Sequence, residues 1–179
     1  MLAHEAAAQL GLERVLLVPA GEAPHRRIEP EPGREVRLQM VQVAAGDDEL
    51  LEASDVEVRG EGPSYTFRTL ETLRDELPGD DLTFLMGADV AASLETWREP
   101  RRVLELARIG VAVRPGTQLD EAEAAIERLG GTDRMDVIRM PELAVSSTRI
   151  RRRIASGRPI RYLVPDGVAD LIAERGLYA

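Results

Sequence analysis

Two serines, a threonine and two arginines stand together at Ser146-Ser147-Thr148-Arg149-Ile150-Arg151, between a strand-like run at 135–140 and a helix-like run at 147–155. Hydroxyls and unengaged N–H groups at a helix start, with the positive end of the helix dipole behind them, suit an anion. Arg151 falls one turn into that helix and can reach the same anion. From 143 to 165 there are six arginines and no acidic residue, in a chain whose net charge is −9. Hydroxyls alone would fit an ordinary helix cap with a solvated arginine face, but the local reversal of charge favours a phosphate site.

Other groups are placed less specifically. Met86-Gly87-Ala88-Asp89 ends an apolar strand. Ligands of parallel sheets sit beyond the carboxyl ends of strands, where glycine lets them approach the backbone. Asp89 there can accept from ribose hydroxyls or cap a helix. Gly62-Pro63-Ser64-Tyr65-Thr66 is a turn leading into a helix. Trp97, the one tryptophan, lies in the polar stretch Glu95-Thr96-Trp97-Arg98-Glu99. It can pack into the core or stack on a flat ring. Pro24-His25-Arg26-Arg27 forms a basic loop after the first apolar strand.

These groups need a scaffold, and the periodicity supplies one. Helices are expected over 2–10, 34–45, 65–77, 101–107, 120–129, 147–155 and 166–174. Strands are expected over 14–19, 50–58, 82–86, 109–113 and 135–140. Strands alternating with helices of this length mean an α/β fold, with a Rossmann-like parallel sheet and helices on both faces. No linker divides the 179 residues, so a single domain with a helical C-terminal part from about 146 is expected. A fold of this class normally opens with a strand. This sequence opens on a helix at Met1, so its first strand is expected to be missing.

Composition narrows the chemistry further. The absence of cysteine excludes disulfides, thiolate metal sites and cysteine nucleophiles. His4 and His25 are too few and too far apart for a zinc site. All 23 basic residues are arginine, so a Walker loop is excluded, and any phosphate must be held by guanidinium, hydroxyl or backbone N–H groups. The acidic balance argues against nucleic-acid partners. No apolar run approaches the roughly 18 residues of a membrane span, and no signal peptide is apparent. A cytoplasmic protein is expected, with a homo-oligomer left open.

In this order the motifs resemble bacterial nicotinate-nucleotide adenylyltransferases of the nucleotidylyltransferase superfamily. The likeness runs from Leu2 to Tyr178. It includes Pro24-His25-Arg26, Arg59-Gly60-Glu61-Gly62-Pro63-Ser64-Tyr65-Thr66, Met86-Gly87-Ala88-Asp89 and Thr96-Trp97. Arg114-Pro115-Gly116, Ser146 to Arg151, and Gly157-Arg158-Pro159-Ile160-Arg161-Tyr162-Leu163-Val164-Pro165 complete it.

The resemblance implies adenylyl transfer from ATP to nicotinate mononucleotide, with Mg²⁺ accompanying ATP. By the same resemblance Gly87, Asp89, Ser147, Thr148 and Arg151 would bind ATP. Trp97 would stack on the nicotinate ring, with Thr66 near its carboxylate. His25, Arg26 and Arg114 would take the nucleotide's phosphate. The family's leading glycine-x-phenylalanine-x-proline-x-histidine-x-glycine-histidine motif is not found in the sequence, so no catalytic histidine is assigned. Two other readings remain open: nicotinamide mononucleotide as acceptor, and a nucleotide-binding remnant without turnover.

Overall fold

The computed structural model describes residues 1–22, 31–46, 48–142 and 145–179. The first half runs α1 (Leu2–Leu10), β1 (Val15–Leu17), α2 (Arg34–Ala45), β2 (Leu51–Ala53), α3 (Thr66–Glu76) and β3 (Thr83–Gly87). It continues with α4 (Ala88–Ala91), a 3-10 turn at Leu94–Thr96, α5 (Pro100–Leu106), β4 (Arg108–Val113) and α6 (Asp120–Arg128). A second 3-10 turn at Thr132–Arg134, β5 (Met135–Arg139), α7 (Ser147–Ala155) and α8 (Asp166–Glu174) follow. The chain packs as two compact units, Met1–Val15 with Ser64–Glu142 and Leu16–Pro63 with Leu143–Ala179.

The first unit is built on a parallel sheet in the order β3-β4-β5. In β4, Ile109 and Val111 are fully enclosed, which explains the nearly unbroken apolar run of that strand. The core continues through Leu94, Val103 and Ile126. At Gly110 side-chain ends from both neighbouring strands occupy the space a side chain would fill. A Cβ there would stand 2.6 Å from a Leu85 methyl on β3 and 3.0 Å from an Ile138 methyl on β5. Helix α6 buries Ala122, Ala125 and Ile126 and carries Asp120, Glu121 and Glu123 in its first turn. That spacing gives one apolar stripe, and the acids complement the helix dipole.

β5 forms one edge of the sheet, and α1 covers it. The Gln9 side-chain amide donates to the Arg139 carbonyl and its oxygen accepts from the Arg139 N–H, both at 2.9 Å. One side chain thus satisfies a backbone pair that an edge would otherwise present to another strand. Between neighbouring strands, Arg108 on β4 grips Asp136 on β5 through two bonds of 2.7 and 2.9 Å.

The second unit contains a two-stranded sheet, β1-β2, and a core of Ile150, Ile160, Val168 and Ile172. Met40 and Ala44 of α2 pack against it. Here the expected strand over 50–58 shortens to Leu51–Ala53. The alternating Val56 and Val58 are buried, but they lie in a turn. Ser54 Oγ accepts from the Val56 N–H at 3.4 Å and the Asp55 carbonyl accepts from Arg59 at 2.9 Å. A serine bonding the backbone two residues on draws it out of the strand. The α/β class with parallel strands is as expected, and the strands divide between two sheets.

Replacing Gly110 by alanine should lower stability by about 1–3 kcal/mol through overpacking of the enclosed strand. Urea unfolding of the two proteins measures this, and an unchanged midpoint would contradict it.

Candidate functional site

In the first unit the carboxyl ends of β3 and β4 lie at one edge of the sheet, because parallel pairing sets Gly87 beside Ala112. Gly87 ends β3 and occupies the N-cap of α4, with Asp89 exposed in the first turn. A Cβ on Gly87 would stand 2.6 Å from Asp89 Oδ1, so the carboxylate folds back over bare backbone. The helix-cap alternative for Asp89 is corrected, since Gly87 holds the capping position. Two residues beyond Ala112, Arg114 leaves β4 exposed. Its carbonyl accepts from Thr117 N–H at 3.0 Å across Pro115-Gly116. Gly116 has φ 81°, as position i+2 of a type II turn requires.

Thr66 is the first residue of α3, whose N-cap Tyr65 offers no side-chain hydrogen bond. Tyr65 and Phe67 stack with centroids 6.2 Å apart, and the Arg68 guanidinium lies 5.7 and 5.8 Å from the two ring centres. Trp97 is half-buried, packed against the first core, and meets Phe84 edge-on at 5.9 Å and 80°. It therefore has a core side, as a lone tryptophan usually does. The turn that delivers it is tied to α6. Arg128 donates to Glu95 in three bonds of 2.6 to 3.0 Å. That guanidinium holds the Glu95 carboxyl below its ordinary pKa, outweighing the desolvation that would raise it. An open groove of about 630 Å³ also lies beside α3 and α5, bordered by Tyr65, Phe67, Arg68, Arg98 and Arg101. None of the described residues expected to bind substrate lines it.

In the second unit, α7 starts at the expected residue. Ser146 is the cap: its Oγ accepts from the Arg149 N–H at 3.2 Å. The first carbonyl–amide bond of the helix runs from Ile150 to Ser146. The N–H groups of Ser147 and Thr148 have no acceptor among the described residues. Both side chains are exposed, and Arg151 donates to Thr148 Oγ1 at 3.3 Å. Ile150, on the opposite side, seats the helix in the second core. Arg153 donates Nε and Nη2 to the Pro159 carbonyl at 3.0 and 2.8 Å, which closes the chain after α7.

Tyr178 packs on the same core. Burial pushes its hydroxyl above the ordinary tyrosine pKa, although Arg151 and Arg37 pull it the other way. His25 and Arg26 lie outside the described residues. The sequence does not point to Phe84 or Arg128, because no fixed spacing links a strand phenylalanine or a helix arginine to a tryptophan turn. Among the described residues no three His, Cys, Asp or Glu side chains gather to hold a metal ion, and no helix is long and apolar enough to cross a membrane.

With this geometry in hand, known proteins offer a comparison. Residues 1–153 match the cytidylyltransferase-like family. A protein of Roseiflexus sp. strain RS-1, named a probable nicotinate-nucleotide adenylyltransferase, is 42% identical over 99% of this chain and 88% of its own length. One of the same name from Rubrobacter xylanophilus is 37% identical, over 99% of this chain and 84% of its own. In fold, the chain is similar to the Plasmodium falciparum nicotinic acid mononucleotide adenylyltransferase solved with NaAD. The TM-score is 0.74 at 16% identity, covering 98% of this chain and 90% of that one.

The Glu95–Arg128 tether sets a pH dependence for the Trp97 turn. Because the folded carboxyl titrates below its ordinary value of 4.5, the contribution of the pair is present above that value and lost as pH falls through the lowered one. Trp97 fluorescence should therefore be steady down to pH 4.5 and change below it. Arg128→Ala should shift the change toward the ordinary glutamate pKa. Identical titrations of the two proteins would contradict the tether.

Proposed function

Because this chain belongs to the cytidylyltransferase-like family, among its nicotinate-nucleotide adenylyltransferases, we propose that it transfers the adenylyl group of ATP to nicotinate mononucleotide. The products are deamido-NAD and pyrophosphate, in NAD biosynthesis. The observation that carries the reading is the start of α7, where two N–H groups without an acceptor among the described residues, two exposed hydroxyls and the half-buried Arg151 come together. In a lysine-free chain this is a phosphate cradle of the permitted kind.

Ser147, Thr148 and Arg151 bind the ATP phosphates in this reading. Gly87 admits the adenosine side to the β3 backbone, and Asp89 accepts from its ribose. Trp97 stacks on the nicotinate ring. The nicotinate carboxylate lies at the start of α3 near Thr66, where the helix dipole favours negative charge. Arg114, with His25 and Arg26, takes the nucleotide's phosphate.

An oxygen of that phosphate attacks the α-phosphorus of ATP. The new P–O bond forms as the bond to the β-phosphate oxygen breaks, and pyrophosphate leaves with the electron pair. No covalent enzyme intermediate is required. The described residues contribute by orienting the reactants and placing guanidinium and N–H groups where charge develops. Mg²⁺ bound with ATP would neutralise phosphate charge. In this reading its ligands come from phosphate oxygens and water.

Steady-state kinetics with separate variants test the assignment. Arg151→Ala should raise the KM for ATP at least several-fold. Trp97→Ala should raise the KM for nicotinate mononucleotide more than that for ATP, since stacking adds about 0.5–1.5 kcal/mol beyond burial. An unchanged ATP constant in the first variant would remove the phosphate role, and equal losses in the second would make Trp97 a core residue only.

A further inference from the structure

We propose that the groove beside α3 and α5 is an anion-selecting vestibule, in which Arg98 and Arg101 favour an acceptor bearing a ring carboxylate over one bearing a carboxamide. The inference deepens the reading above and rests on its placing of the nicotinate end beside Thr66 and Trp97. Nicotinate and nicotinamide mononucleotide share their phosphate and differ at the ring by one negative charge. Positive charge near that ring tells the two apart.

The groove carries such charge in surplus. Arg102 is committed, donating to Glu71 of α3 at 2.8 Å and to Glu105 of α5 at 2.9 Å. Arg68 lies over the Tyr65 and Phe67 rings. Arg98 and Arg101 are exposed and have no acidic partner among the described residues. Of the acids that line the groove, Glu99 alone is not held by one of these arginines. Arg68, Arg98 and Arg101 thus stand against a single carboxylate, in a chain whose net charge is −9. A concave surface with a local excess of one sign focuses its field on an incoming ion of the other.

The backbone is shaped to the same end. Glu99 has φ 51° and ψ 54°, in the left-handed region, at the N-cap of α5 and directly before Pro100. A residue before proline favours extended backbone, and a long side chain at positive φ is strained. Strain of this kind gathers at ligand sites, where the surrounding structure holds it. Here it turns the chain between Arg98 and Arg101, and both line the groove. Tyr65 of the lining directly precedes Thr66, and Arg98 directly follows Trp97. Consecutive Cα atoms are about 3.8 Å apart, so the groove adjoins both groups assigned to the nicotinate end. Phe67 and Trp97 also pack on one core.

Steady-state kinetics with the full chain test this, using Arg98→Gln with Arg101→Gln, and Arg98→Lys with Arg101→Lys. The readout is kcat/KM for nicotinate mononucleotide divided by that for nicotinamide mononucleotide, at low and at high ionic strength. At low ionic strength the glutamine pair should lower this ratio about fivefold, and the lysine pair less than about twofold, as expected for two exposed charges. High ionic strength should bring the unaltered protein toward the glutamine pair. Partial misfolding lowers both constants alike and leaves their ratio intact. A ratio unchanged in the glutamine pair, or lowered equally in the lysine pair, would overturn the vestibule.

The functional reading is tested separately, by the unaltered protein. Should it prefer nicotinamide mononucleotide, the acceptor assignment fails, and the change of ratio between variants still decides the groove. Should it turn over neither, adenylyl transfer fails. Calorimetric affinities for the two mononucleotides, compared across the same variants, then decide the groove by the same change of about fivefold.

Discussion

Parallel strands cannot turn back on themselves. Each must return through a crossover, so every carboxyl end in such a sheet points to the same edge. In the first unit that constraint, made possible by burying β4 on both faces, puts Gly87 and Arg114 at a common edge although 26 residues of sequence separate them. Gly110 admits the neighbouring methyl groups, and Gln9 completes the outer strand. The ends of β3 and β4 are left for the turns that carry Asp89 and Arg114.

A basic complement made wholly of arginine divides its labour by geometry. Arg108, Arg128, Arg37 and Arg153 each spend their planar forks on carboxylates or carbonyls, fixing strand, turn and loop. Arg108 and Arg128 are pairs at the surface, and such pairs matter more for placement than for stability. Arg151 differs. Its one described hydrogen bond is to the Thr148 hydroxyl, at a helix start where two N–H groups have no acceptor among the described residues. Among the described residues Arg151 is thus not committed to a carboxylate, as the proposed phosphate role requires.

Much of this was legible in the sequence. Helices α1, α2, α7 and α8 fall at the expected residues because apolar spacing and end signals agree there, as with Gly11 after α1 and Gly46 after α2. Proline at the start of α5 likewise marks a real boundary. Val56 and Val58 misled because alternation reports burial, not strand geometry, and the Ser54 turn buries both. Helix α4, with four residues, is too short to show a period. The turn after β3 at 86–89 and the capped helix start at 146–151 were legible as local patterns. The Phe84 contact with Trp97 and the bonds of Arg37 to Ala20 and Gly21 join residues that no local pattern connects.

The most direct test is product formation by the protein as its own host makes it, supplied with ATP, Mg²⁺ and either nicotinate or nicotinamide mononucleotide. Phosphorus NMR would follow both possible products. Deamido-NAD and an equal amount of pyrophosphate should appear with the nicotinate substrate, and much more slowly with the nicotinamide one. Binding of ATP and nicotinate mononucleotide without release of pyrophosphate would contradict adenylyl transfer and leave a nucleotide-binding protein.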